Sequence, residues 1–230
     1  RLAGGAPHRY AVGRRRDAMN EAVLVTGASS GIGEATASLF AERGYSVYAG
    51  YRKEADAERL RFLNDRIFPL RIDVTDESSM SAALGWVREQ LDGKALGGLV
   101  NNAGLAVPAF LELIPMERLR YQFEVNVFGL VRMTQLALPL LRGARNPRIV
   151  NVSSILGRFG VPILGAYAAS KFGVEAISDT LRVELADWKI RVVTVEPGSI
   201  ATNFSKNARN QIPEPPDGIE LAPPDRKSVV

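Results

Sequence analysis

Six short apolar runs, each followed by a stretch with helical periodicity, constrain this chain more than any other feature. The runs are AVLVT (22–26), SVYAG (46–50), IFPLRI (67–72), GLVNN (98–102), RIVNVSS (148–154) and IRVVTV (190–195). A strand with one wet face alternates apolar and polar residues, whereas a strand buried on both faces is nearly continuous in its apolar character. Helical stretches fill the intervals: one reaching about Arg43, KEADAERLRFL, SSMSAALGWVREQL, a long apolar segment near 116–142, and one around 166–187. Strands alternating with helices give a parallel sheet covered on both sides, and right-handed crossovers make it doubly wound. The predicted fold is therefore α/β, a doubly wound parallel sheet with six readable strands. No internal repeat is present.

Composition removes several kinds of chemistry. The chain has no cysteine and one histidine, His8, which lies before the first strand. Disulfides, thiol catalysis and metal sites built on histidine are thereby disfavoured, as is a Ser-His-Asp triad. Acid/base work near neutrality falls to a carboxylate, lysine or tyrosine. Residues 1–20 contain five arginines and one aspartate, which is the whole excess of four positive charges. The body is neutral, which argues against a nucleic-acid partner. No apolar run is long enough for a membrane span, and the absence of cysteine fits a reducing, cytoplasmic setting. Residues 1–18 read as a disordered basic tail.

TGASSGIG (26–33) lies between the first strand and the first helix. Glycines 27, 31 and 33 permit a tight turn and close backbone approach, and the following helix offers free N–H groups and a positive dipole end to a pyrophosphate. At the first strand–helix junction of a doubly wound sheet this is a dinucleotide site. The predicted cradle comprises Gly27, Ser29, Ser30, Gly31, Ile32 and Gly33. No Gly-Lys-Ser/Thr follows, which disfavours a nucleotide triphosphatase. At the end of the second strand, where an acid would bind the ribose hydroxyls of NAD, stand Tyr51, Arg52 and Lys53. Arginine suits a 2′-phosphate, so NADP(H) is the expected cofactor, with Arg52 on the phosphate and NAD(H) as the alternative. Arg52 and Lys53 could otherwise be a solvated pair at a helix start.

GAYAASK (165–171) places Tyr167 one helical turn before Lys171. The pair is either packing or a phenol acid/base whose pKa the ammonium lowers. Small neighbours, Ala168, Ala169 and Ser170, would let ligands approach closely.

TGASSGIG, NNAG (101–104), NVSS (151–154), YAASK (167–171) and EPG (196–198), in that order and spacing, resemble the short-chain dehydrogenase/reductase family, shorter-chain branch, over about residues 20–204. The resemblance implies a Rossmann-type fold and reversible hydride exchange between nicotinamide and an alcohol or carbonyl. It makes Tyr167 the acid/base and Lys171 its partner, and both also contact the cofactor. It puts Ser154, thirteen residues before the tyrosine, on the substrate oxygen, and gives Asn126 a water in a proton relay to Lys171. It also implies that Asp73 and Val74 line the adenine pocket, that Asn101, Ala103 and Gly104 brace cofactor and central strand, and that Pro197, Gly198, Ile200 and Thr202 complete the cofactor contacts.

The loops expected to face substrate, LAVPAF (105–110), ILGRFGVPI (155–163) and the segment after Gly198, are mostly apolar, with Arg158 the one charge in the first two. A hydrophobic alcohol, ketone or aldehyde follows, and EPG followed by ATN is similar to the retinol and hydroxysteroid branch. Family members usually continue with a substrate-covering segment, a further helix and a seventh strand. Here that strand is not readable, so the sixth strand is expected at an uncovered edge, with residues 19–204 as the dinucleotide-binding catalytic domain and 205–230 an irregular, Pro-rich remnant of the lid. Homo-oligomerisation through the two long helices is a family expectation for a complete C-terminus. The competing reading is a catalytically silent or truncated dinucleotide-binding module.

Overall fold

The computed structural model describes residues 21–200 and 202–212; the expectations for residues 1–18 and for 213–230 lie outside them. The elements are β1 (Ala22–Val25), α1 (Gly31–Glu42), β2 (Ser46–Tyr51), α2 (Ala55–Leu63), β3 (Ile67–Arg71), α3 (Glu77–Leu91), β4 (Leu96–Asn101), α4 (Met116–Phe123), α5 (Gly129–Leu141), β5 (Arg148–Val152), α6 (Gly165–Glu184), β6 (Arg191–Val195) and α7 (Asn203–Arg209). The sheet is parallel throughout, in the order β3-β2-β1-β4-β5-β6. The order reverses between β1 and β4, which opens a crevice at the carboxyl ends of those strands, the usual ligand position in such sheets.

Two apolar layers hold the sheet. On one face Met80 and Val87 of α3, Met133 and Leu141 of α5, and Leu185 pack on Leu24, Leu99 and Ile149. On the other, Ala37 and Ala41 of α1 and Leu60 of α2 pack on Val25, Val47 and Val100. Each fully buried Leu or Val contributes roughly 1.5–3 kcal/mol. Local signals agree with the packing: Asp76 caps α3 by accepting from the Ser78 N–H at 2.9 Å, and Asp92 and Gly93 end it with φ of 46° and 77°. Among the described residues β6 is a sheet edge, with Val193 41% and Val195 42% exposed.

Two departures from the expectations matter. The long helix near 116–142 is interrupted: between α4 and α5 lies a π-helical turn, Glu124–Phe128, with Asn126 in its middle. Such turns often mark functional sites. The remnant expected to be irregular from 205 onward is helical through Arg209. The Thr202 hydroxyl accepts from the Phe204 N–H at 3.2 Å and so caps α7, while Phe204 and Ala208, one turn apart, rest on Tyr167. NFSKNAR has too few apolar residues for a periodic signal, so the domain boundary at 204/205 cuts through a helix. No helix among the described residues is long and apolar enough to cross a membrane.

Candidate active site

The glycine-rich turn is held by side chains from the end of β4. The Thr26 hydroxyl accepts from the backbone N–H groups of Asn102 and Ala103, both at 3.0 Å. The Asn102 amide donates to the carbonyls of Thr26 (3.0 Å) and Gly27 (2.9 Å). Gly27 (φ +61°) and Gly31 (φ +57°) sit in the left-handed region. A methyl on Gly27 would lie 2.8 Å from the Ala103 Cα, and one on Gly31 would lie 3.3 Å from the Thr202 Cβ. At Gly33, the first buried residue of α1, a methyl would overlap the Gly27 carbonyl and the Asn102 amide. Ser30 is extended at the N-cap of α1 and makes no side-chain cap. The first-turn N–H groups, with Ile32 among them, thus keep their donors for an anion. On the outer side Arg59 of α2 donates to the Ser29 carbonyl and pairs with Glu34. A cradle that side chains would fill, at an uncapped helix end, fits a dinucleotide pyrophosphate.

Beside it, at the end of β2, Tyr51 is buried and its hydroxyl donates to the Glu54 carboxylate at 3.2 Å. Burial, followed by the nearby Glu54, raises its pKa. Arg52 reaches across to α4 and donates to the Tyr121 hydroxyl at 2.8 Å. It is thus tied across the crevice rather than free at a helix start. The Asp73 carboxylate accepts from the Thr75 N–H (3.0 Å) and hydroxyl (2.7 Å), forming the turn after β3. Val74 packs on α5, where a methyl on Gly129 would come within 2.6 Å of its carbonyl oxygen.

The carboxyl ends of β4 and β5 carry a buried amide ladder. Asn101 donates to the Thr134 hydroxyl (3.0 Å) and to Asn151 (2.9 Å), and Asn151 donates to Ser178 (2.9 Å). It joins α5 to α6 through the sheet, with Thr134, Asn151 and Ser178 as partners of Asn101 that no motif identifies. Pro197 accepts from the Ile155 N–H at 3.1 Å, which ties the end of β6 to the turn after β5. A methyl added to Gly198 would meet nothing within 4 Å, and Ile200 is half exposed.

Ser154, Tyr167, Lys171 and Asn126 converge at this end of the sheet. All four are buried. The Ser154 hydroxyl accepts from the Leu156 N–H at 3.1 Å, and it draws the Tyr167 pKa downward. Ser153 points elsewhere; its hydroxyl is buried without a partner. Lys171 donates to the Val152 carbonyl at 2.7 Å, and its ammonium is 5.7 Å from the Tyr167 ring centroid. Asn126 accepts from the Leu105 N–H (2.9 Å) and donates to the Leu105 carbonyl (2.8 Å) and to Ser170 (3.0 Å). Gly104 fills the space between: a methyl there would be 3.3 Å from Asn126 Oδ1 and 3.7 Å from Lys171 Nζ. Phe204 closes the site from α7, 5.7 Å from the Tyr167 ring.

One electrostatic expectation is overturned. The Tyr167 pKa is raised rather than lowered: burial of the phenol outweighs the opposing hydrogen bond with Ser154. Lys171 also bears the cost of burial, which brings its pKa down to about 8 against the upward pull of Glu175. Spacing put the cation near the phenol, but desolvation decides the direction.

The family model described as short chain dehydrogenase matches residues 21–213. The chain is 41% identical over 188 residues to retinol dehydrogenase 7 of Mus musculus, covering 81% of this chain and 59% of that protein. It is 42% identical over 185 residues to 17-beta-hydroxysteroid dehydrogenase type 6 of Homo sapiens, covering 80% of this chain and 58% of that protein. The chain thus spans a little under three fifths of these curated relatives. Among solved structures, it is similar to a 3-ketoacyl-(acyl-carrier-protein) reductase from Brucella melitensis complexed with NADH (TM-score 0.77, 32% identity, 81% of this chain and 78% of that one). It is also similar to a short chain dehydrogenase from Burkholderia cenocepacia in complex with NADP (TM-score 0.73, 34% identity, 85% and 78%).

Proposed function

Because the chain belongs to the short chain dehydrogenase family, we propose that it is an NADP(H)-dependent oxidoreductase for a hydrophobic alcohol–carbonyl pair, with Tyr167 as the acid/base. The observation that carries this reading is the convergence of Ser154, Tyr167, Lys171 and Asn126, all buried, at the carboxyl end of the sheet. The nicotinamide, when bound, supplies or accepts the hydride. The residues that would hold the dinucleotide are the cradle at 27–33, with Arg52 and Asp73–Val74 toward its adenosine half and Lys171 and Thr202 toward the reacting end.

The chain's own part is proton handling and orientation. Ser154 directs the substrate oxygen toward Tyr167, which gives the proton in reduction and takes it in oxidation. A buried phenol with a raised pKa stays protonated at neutral pH and is ready to donate. Oxidation instead needs the proton to leave. Carbonyl reduction is therefore expected to fall as the pH rises through about 8, where Lys171 is half deprotonated. Alcohol oxidation gains nothing from the loss of that cation, which only makes the phenolate harder to form. Initial rates in both directions across pH 6–10 check this.

Substrate class is supported from two sides. The wall around Tyr167 is made by Ala106, Leu156, Leu164, Phe204 and Ala208. Arg158, the one charge in the loops 105–110 and 155–163, is already bound by Glu196 through two hydrogen bonds of 2.6 and 3.0 Å. The retinol and hydroxysteroid relatives point to the same chemistry. The silent-module reading has no observation in its favour.

The similar structures include one with NADH and one with NADP, so the choice of cofactor rests on Arg52. Titration with NADPH and NADH by nicotinamide fluorescence is expected to give tighter binding of NADPH. Arg52→Ala should cost about 10-fold to 100-fold in NADPH affinity, the scale of a charge-assisted phosphate contact, and leave NADH within about threefold. Tighter NADH binding by the unaltered chain overturns the assignment. Turnover is then tested with retinol and a 17β-hydroxysteroid.

A further inference from the structure

Glu175 lies one turn beyond Lys171 on α6, its side chain only 9% exposed. Its carboxylate makes no hydrogen bond: Oε1 is buried without a partner, and Oε2 has only Arg158 Nη2 at 3.6 Å. A buried carboxylate is costly unless cations answer it. Arg158 Nη2 answers it from outside at 3.6 Å, and Lys171, also buried, stands one helical turn back without a direct ion-pair contact. Arg158 is in turn bound bidentately by Glu196 beyond β6. The result is a line of alternating charge, Lys171, Glu175, Arg158, Glu196, running from the crevice to the surface. Nothing in the proton transfer above uses the last three.

Resting on the function proposed above, we propose that Glu175 is the internal counter-ion of Lys171, a positioning residue that holds the ammonium charged against the Val152 carbonyl, and that Arg158 and Glu196 set how much of the Glu175 charge Lys171 receives. The groups around Lys171 are few. Tyr167 and Glu175 share its helix, the Val152 carbonyl comes from β5, and Asn126, uncharged, comes from the π-helical turn. Among the described residues Glu175 is the one charge that acts on Lys171, against the burial that lowers its pKa. Around Glu175 stand Lys171 and Arg158, with Asp179 and Glu196 acting on Arg158. Gly157 closes the space over the carboxylate, since a methyl there would lie 3.2 Å from Oε1 and 2.9 Å from the Ser153 hydroxyl. Solvent is thus kept from the pair, and the charge of Glu175 acts through little screening.

The test measures Lys171 directly in the full chain without dinucleotide. Lysine is labelled with 13C at Cε, and the Lys171 signal is identified by its loss in Lys171→Arg. In the unaltered chain the signal is expected to titrate near 8. Glu175→Gln, nearly the same in shape, should move that midpoint down by about one unit or more. Arg158→Gln should move it up, because the carboxylate is then shared with one cation fewer. Thermal melts establish that each variant folds. If Glu175→Gln does not fold, Arg158→Gln carries the test alone, since that side chain is 61% exposed. An unmoved midpoint in a folded Glu175→Gln chain, or an unmoved or lower one in Arg158→Gln, overturns the proposal. These readings need no cofactor or substrate, so a failure to bind NADPH would count against the function proposed above and leave the coupling of Glu175 to Lys171 judged on its own.

Discussion

Replacing Tyr167 with Phe is expected to remove about a thousandfold of turnover or more and to leave the NADPH affinity within about threefold, the range expected when a general acid is deleted from an intact site. The ring itself is structural: it is 7% exposed and packs on Ala106, Ala208 and Phe204. Phenylalanine keeps that packing and removes only the hydroxyl. Ser154 keeps its hydrogen bond from the Leu156 N–H at 3.1 Å. Because burial already keeps the phenol neutral, its removal strands no charge. The melting temperature should therefore stay within a few degrees while kcat collapses. Steady-state rates alongside a fluorescence titration separate the two effects. Turnover that survives in a well-folded Tyr167→Phe chain would take the acid/base role away from this residue.

The fold was legible because its signals are local. Continuous apolar runs such as AVLVT and IRVVTV name buried strands wherever they occur, and the glycine turn declares itself between strand and helix. Counting thirteen residues back from Tyr167 points to Ser154, which acts on the phenol, whereas the neighbouring Ser153 hydroxyl is buried without a partner. What stayed hidden was tertiary. Arg52 finds Tyr121 across 69 positions of sequence, and the clamp of Thr26 and Asn102 on the cradle joins residues 75 to 77 apart. A Lys-x-x-x-Glu spacing on a helix usually means a solvated surface pair, so Glu175 carried no signal until its burial was known. The same holds for the Tyr167 pKa: spacing reveals a neighbouring charge, whereas desolvation belongs to the whole fold. α7 was missed because its two apolar contacts sit in a polar heptapeptide and acquire meaning only against Tyr167.

The same change, glycine to alanine, should act with opposite sign at two helical positions. Gly33 in α1 has an ordinary helical backbone, so its requirement is steric rather than conformational. An added methyl would overlap the Gly27 carbonyl oxygen and the Asn102 amide nitrogen, and it would lie 3.0 Å from the Gly27 carbonyl carbon. Neither neighbour can give way cheaply. Asn102 is fixed by its bonds to two carbonyls, and Gly27 is closed in by Ala103. α1 must lift from the turn, which is expected to cost about 3 kcal/mol, at the upper end for overpacking, and to open the anion cradle. Gly85 is exposed within α3 and has nothing within 4 Å of an added methyl. Alanine there should stabilise by about 0.5–1 kcal/mol through backbone entropy alone. For a domain of this size the shifts in melting temperature are about 2–4 °C per kcal/mol, downward for Gly33→Ala and upward for Gly85→Ala. The NADPH titration should be lost in the first variant and unchanged in the second. A Gly33→Ala chain that melts like the parent and binds NADPH normally would mean that the helix and the turn are not packed as closely as the structure places them, and the pyrophosphate site would have to be sought elsewhere along the crevice.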